Sequence, residues 1–109
     1  MLTTLPAPIA AYLQAKKDFD TDALLATLTD DAVITDEGTE YRGKAAIRGW
    51  NDRASKEVAA TYEVKDVAIV DGRTVLAVLV AGKFLGSPVT LFFHVALREG
   101  RVAALTVVA

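Results

Sequence analysis

The sequence predicts a single α+β domain: three helices, then a sheet of antiparallel strands. Three observations carry this. Apolar residues recur at helical spacing through the first half of the chain. After about residue 58 the pattern becomes strand-like, punctuated by turns at Asp71-Gly72, Gly86-Ser87-Pro88 and Glu99-Gly100. The 109 residues suffice to bury one core without staples, with no repeat, linker or low-complexity segment to divide 1–109.

Leu5, Ile9, Tyr12 and Leu13 lie on one face of a first helix, with Thr4 suited to its cap, Pro6 to its first turn and an end near Lys17. A second short helix is capped by Asp20 or Thr21, presents Leu24, Leu25 and Leu28, and is closed by Asp30-Asp31. A short strand runs from Ala32 to Asp36, and Glu37-Gly38-Thr39 turns. Gly43 opens a third helix whose buried stripe is Ile47, Trp50 or Asn51, and Ala54. Four strands follow: Ala60 to Val70, Arg73 to Leu85, Val89 to Arg98 and Arg101 to Val108.

The middle strands are apolar on both faces. Leu76, Val78 and Val80 alternate with Val75, Ala77 and Leu79, and Phe93 and Val95 with Phe92, His94 and Ala96. A sheet covered by helices on one side normally shows polar residues on the other. Burial of both sides predicts a homodimer formed through the sheet. The 52% hydrophobic content fits an oligomer interface or an open apolar cavity.

Composition excludes several function classes. The net charge is −2 and nothing basic is clustered, which argues against nucleic acid. There is no cysteine, so thiol nucleophiles, redox motifs and thiolate metal sites are absent. His94 is the only histidine, so any histidine-based triad or metal site would have to pass through it. Alternation puts His94 on the face opposite Phe93, where a lone histidine is structural or interfacial. Asp30, Asp31, Asp36, Glu37 and Glu40 lack the regular spacing of a calcium loop and read as turn and capping acids; no metal and no cofactor is expected. The N-terminus shows no secretory signal, and the longest apolar run, Val75 to Gly82, is too short for a bilayer. A cytoplasmic protein without membrane contact is the expectation.

Tyr12, Asp36 and Trp50 fall on elements that would wall one apolar pocket. A carboxylate and a phenol facing such a pocket are equipped for proton transfer. Each has a plainer reading: Asp36 as a turn-initiating acid before Glu37-Gly38, Tyr12 as a core aromatic, Trp50 as cavity wall or core. Arg42, beside the turn after Asp36, is the side chain placed to meet a ligand carboxylate.

The helix-helix-Asp30-Asp31-Ala32-Val33-x-x-Asp36 run, the Arg42-Gly43-Lys44-Ala45-Ala46-Ile47-Arg48 start of the third helix and the closing meander resemble the nuclear transport factor 2 fold. Within that superfamily the chain is similar to SnoaL-like and ketosteroid-isomerase-like proteins over essentially its whole length. The resemblance implies a cone-shaped, cystatin-like fold with three N-terminal helices packed on a curved antiparallel sheet. It also implies that Tyr12 steadies an enolate oxygen, that Asp36 shuttles the proton, and that Trp50 lines the cavity. Phe84, Phe93, Ile34 and Val95 complete the expected ligand-binding wall. Phe93 stands where the family carries a second, acidic oxyanion donor. Loss of such a donor costs roughly two to three orders of magnitude in rate, which argues against steroid isomerisation as the native reaction. The fold hosts many reactions. Two functions therefore stand: an acid–base isomerase or cyclase acting on a small apolar carbonyl compound, and a non-catalytic ligand-binding or dimerisation module.

Overall fold

The computed structural model describes residues 5–109, in which α1 (Ala7–Lys17), α2 (Thr21–Ala26), β1 (Leu28–Asp36), β2 (Thr39–Arg42), α3 (Gly43–Glu57), β3 (Thr61–Val70), β4 (Arg73–Ala81), β5 (Val89–Arg98) and β6 (Arg101–Val108) follow in order. Thr4, the expected cap of α1, lies outside the described residues. Pro6 takes the N-cap, and its carbonyl accepts from the Ile9 and Ala10 amides at 3.0 Å. Pro8 falls in the first turn, where a missing N–H leaves nothing unsatisfied. The Asp20 carboxylate caps α2 by accepting from the Ala23 amide at 3.0 Å.

The strands form one six-stranded sheet in the order β2-β1-β6-β5-β4-β3. Neighbours are antiparallel except β1 and β6, which run parallel with Ile34 opposite Leu105, so the sheet is mixed. Residues 82–88 close the β4–β5 hairpin, and three two-residue turns, Glu37-Gly38, Asp71-Gly72 and Glu99-Gly100, close the other three of its four hairpins with positive φ at both positions. That geometry matches the twist of the flanking strands, and an acid followed by glycine tolerates it.

Three expected boundaries move. The acidic doublet does not close α2: β1 begins at Leu28, and Asp30 and Asp31 project from it beside a register shift between Leu28 and Val33. Thr39–Arg42 forms β2, paired with β1, before Gly43 starts α3 at φ +82. Strand β4 stops at Ala81, short of Leu85, because the chain there is drawn to the α3–β3 connection. The Lys83 amide donates to the Val58 carbonyl at 2.7 Å, and the Gly82 amide donates to Ser87 Oγ at 2.9 Å. Only glycine fits at position 82, where a Cβ would sit 2.6 Å from the Val58 oxygen.

The core lies between the helices and one face of the sheet. Leu76, Val78, Val95 and Leu105 from the strands meet Ile9, Leu24 and Ile47 from the helices, all essentially fully buried. Burial of such side chains contributes about 1.5–3 kcal/mol each. The opposite face exposes Phe92 and Val108 and half-buries Val75, Ala77 and Leu79. No helix among the described residues is long and apolar enough to cross a membrane.

Candidate functional site

Beyond the C-terminal end of β1 the helices no longer cover the sheet completely, and a cavity of about 500 Å³ opens there. Tyr12 and Lys16 of α1, Asp36 at the end of β1, Trp50 of α3, Tyr62 of β3 and Phe93 of β5 line it. Phe84, Leu85 and Gly86 form its rim. The structure thus gathers five side chains selected from the sequence: Tyr12, Asp36, Trp50, Phe84 and Phe93. Ile34 and Val95, expected in the same wall, do not line it. They share a face with Asp36 and Phe93 but lie two residues further under the helices, where Ile34 is sealed in the core and Val95 packs beneath Ile9, Tyr12 and Leu13 of α1.

Asp36 is held from α3. The Trp50 indole N–H donates to its Oδ2 at 3.2 Å, and Tyr41 of β2 backs the indole at a centroid distance of 5.8 Å. The carboxylate is half-buried at the strand end, beside Glu37 of the turn.

Lys16 is the residue that the sequence reading missed. It is only 7% exposed, and its Nζ lies 4.4 Å from the Trp50 ring centroid and 5.5 Å from that of Tyr62. Nζ donates to Asn51 Oδ1 at 2.9 Å. The fully buried Asn51 is itself oriented, because its Nδ2 donates to Thr21 Oγ1 at 3.0 Å and Thr21 donates to Asp52 Oδ1 at 2.5 Å. This chain of donors makes the Asn51 oxygen an acceptor for the amine. Burial lowers the Lys16 ammonium to about 8, against a smaller upward pull from Asp36. A signal existed in the sequence: Lys16 follows Tyr12 by four residues on the apolar stripe of α1.

Two phenols share the cavity. Burial raises Tyr12 well above the ordinary tyrosine range, and the neighbouring Tyr62 and Asp36 raise it further. Burial, then Asp36, pushes Tyr62 up to about 12. Both are neutral hydrogen-bond donors at neutral pH.

The other singled-out polar residues lie elsewhere. His94 is half-buried on the outer face, opposite Val75 and Thr106. Arg42 is ion-paired with Glu40 at 2.8 Å on the exposed edge and does not reach the cavity. Asp31 pairs with Arg98, and Asp30 with Lys44 at 3.4 Å. Among the described residues no three acids or histidines converge as metal ligands.

Residues 9–105 match the family model of the SnoaL-like domain. The chain belongs to the SnoaL-like family. A candidate polyketide cyclase from Sinorhizobium meliloti is 35% identical to this SnoaL-like domain, with 94% of each chain covered and a TM-score of 0.90. Two more distant structures share the fold. A protein from Catenulispora acidiphila with a ketosteroid isomerase-like fold, solved with trimethylamine, is 16% identical with a TM-score of 0.83, over 97% of this chain and 87% of its own. A cystatin-fold protein from Novosphingobium aromaticivorans is 17% identical with a TM-score of 0.78, over 94% of this chain and 95% of its own. No protein of curated function matches the sequence.

Proposed function

We propose that this SnoaL-like domain is an acid–base enzyme, an isomerase or cyclase, acting on a small and largely apolar carbonyl compound. The observation that carries the reading is the Asp36 carboxylate, held by the Trp50 indole at 3.2 Å on the edge of a largely aromatic and aliphatic cavity that also contains the Tyr12 phenol and the Lys16 amine. Asp36 removes a proton alpha to the carbonyl, and Tyr12 donates a hydrogen bond to the enolate oxygen. The proton returns to a different carbon in an isomerisation. In a cyclisation the enolate carbon attacks a second carbonyl. Tyr62 supplies another phenol to the cavity where Phe93 offers no donor. The candidate-cyclase assignment of the Sinorhizobium meliloti relative supports the same chemistry.

The test is deuterium exchange alpha to the carbonyl of phenylacetone, followed by NMR. Exchange that depends on Asp36 upholds the reading. Saturable binding with no exchange in the wild-type domain would support the second reading, a non-catalytic ligand-binding module, which the apolar Phe93 ring favours. We also propose that the domain pairs with a second copy through the outer sheet face, since Phe92 remains 39% exposed there beside Val108.

A further inference from the structure

We propose that Lys16 is a carbonyl-capturing amine, whose Nζ, held at the cavity wall by Asn51, condenses with a small apolar aldehyde or ketone to form an imine. This rests on reading the cavity as a carbonyl site, but it assigns a covalent step to a residue that proton shuttling by Asp36 does not require.

The placement of Lys16 is unusual for a lysine. A long cationic side chain normally carries its head to water, as Lys44 and Lys65 do in surface pairs with Asp30 and Glu63. Lys16 instead keeps its head inside, and among the described residues no carboxylate lies within ion-pair distance of it. Among the described residues its one side-chain acceptor is the Asn51 oxygen. The Asp52–Thr21–Asn51 relay fixes that oxygen in place, so one N–H is committed and the rest of the amine faces the cavity. A fully buried asparagine supported by two further side chains is a positioning device for the amine.

The chemistry follows from burial. Desolvation disfavours the ammonium, leaving a sizeable share of Lys16 as the neutral nucleophile near neutral pH. Its lone pair attacks the carbonyl carbon, a C–N bond forms, and the oxygen takes up a proton. The carbinolamine then loses its hydroxyl as water as the nitrogen lone pair closes the C=N bond. Both N–H protons of the neutral amine, including the one donated to Asn51 before condensation, leave with that water, and nothing is oxidised or reduced. Asp36, on the N–H edge of the indole whose face lies near Nζ, is available to relay the protons.

The experiment treats the full chain with benzaldehyde and sodium cyanoborohydride at pH 7.5, which reduces any imine to a stable benzylamine, and maps the adducts by mass spectrometry. The expected result is modification of Lys16 on the order of tenfold faster than of Lys17, Lys44, Lys56, Lys65 or Lys83. In Lys16→Met the fast adduct disappears while benzaldehyde still perturbs Trp50 fluorescence. Adducts confined to the other lysines, with saturable Trp50 quenching in the wild type, overturn the proposal. If phenylacetone still exchanges its alpha protons in that case, the Asp36 reading survives alone. A Lys16 adduct in a domain that catalyses no exchange upholds the amine and removes the Asp36 reading.

Discussion

Lys16 Nζ stands 4.4 Å from the centroid of the Trp50 ring while the same indole donates its N–H to Asp36 at 3.2 Å. One side chain of α3 therefore presents its electron-rich face to the buried amine and its polar edge to the acid. Ring quadrupoles favour this division, since the face attracts cations and the edge is positive. Amine and carboxylate are thereby kept at the same cavity without pairing directly, and each retains its own reactivity.

The buried lysine makes stability depend on pH. Burial lowers its ammonium to about 8, so above that pH the unfolded chain binds more protons than the folded one. The stabilisation is complete above the unfolded lysine value and is lost as pH falls through 8. Tyr12 and Tyr62, raised in the folded state, work the other way above pH 10. Between pH 8 and 10, urea denaturation should therefore show wild type gaining roughly 2 kcal/mol relative to Lys16→Met. Parallel pH profiles for the two proteins would mean that Lys16 is solvated.

Asp36→Asn should slow alpha-proton exchange of phenylacetone by at least about a hundredfold with little change in binding. Tyr12→Phe should lower it by about two orders of magnitude through loss of the enolate donor. Both are read by NMR under saturating ketone. Unchanged exchange in Asp36→Asn would remove it as the base.

At position 82 the chain passes so close to the Val58 carbonyl that a methyl group has no room. Gly82→Ala should destabilise the domain by about 1–3 kcal/mol, measured by chemical denaturation. It should also weaken benzaldehyde binding, because the 82–88 loop carries Phe84 and Leu85 at the cavity rim. A neutral substitution would show that the connection at Val58 gives way easily.

Phe92→Glu places a charge at the centre of the outer sheet face. Light scattering should report a dimer for the wild type and a monomer for the variant, with the thermal transition of the folded chain retained. A wild-type monomer at micromolar concentration would refute pairing through the sheet.

The architecture was legible because helical spacing around Ile9, Leu24 and Ile47, and alternation around Leu76 and Val95, report a buried face directly. Strand β2 was not: Thr39–Arg42 is short, carries Glu40 and Arg42, and looks like the run into α3. Asp30 and Asp31 misled for a related reason, since acids rarely sit inside a strand, and these two project from an irregular stretch of it. At the cavity, Tyr12, Asp36 and Trp50 were legible from the elements that carry them and from the family resemblance. Lys16 was hidden by its position in the last turn of α1 beside Lys17, where cations ordinarily offset the helix dipole. The four-residue step from Tyr12 sets Lys16 apart from Lys17, but only the path of α1 across the sheet shows that its amine ends inside the cavity. Tyr62 lay on a strand whose register shifts between Val64 and Asp66, which blurs the alternation that would have assigned its face.

The parallel pairing of β1 with β6 places Ile34 against Leu105, joining early sequence to late. During synthesis, α1, α2 and β1 must wait without their central partner while the β3–β4–β5 meander can already zip up locally. The wall carrying Asp36 is therefore completed only when β6 emerges from the ribosome. Until then Lys16 and Asp36 sit together on an early half that lacks its sheet neighbour, so the cavity between them is among the last parts of the fold to take shape.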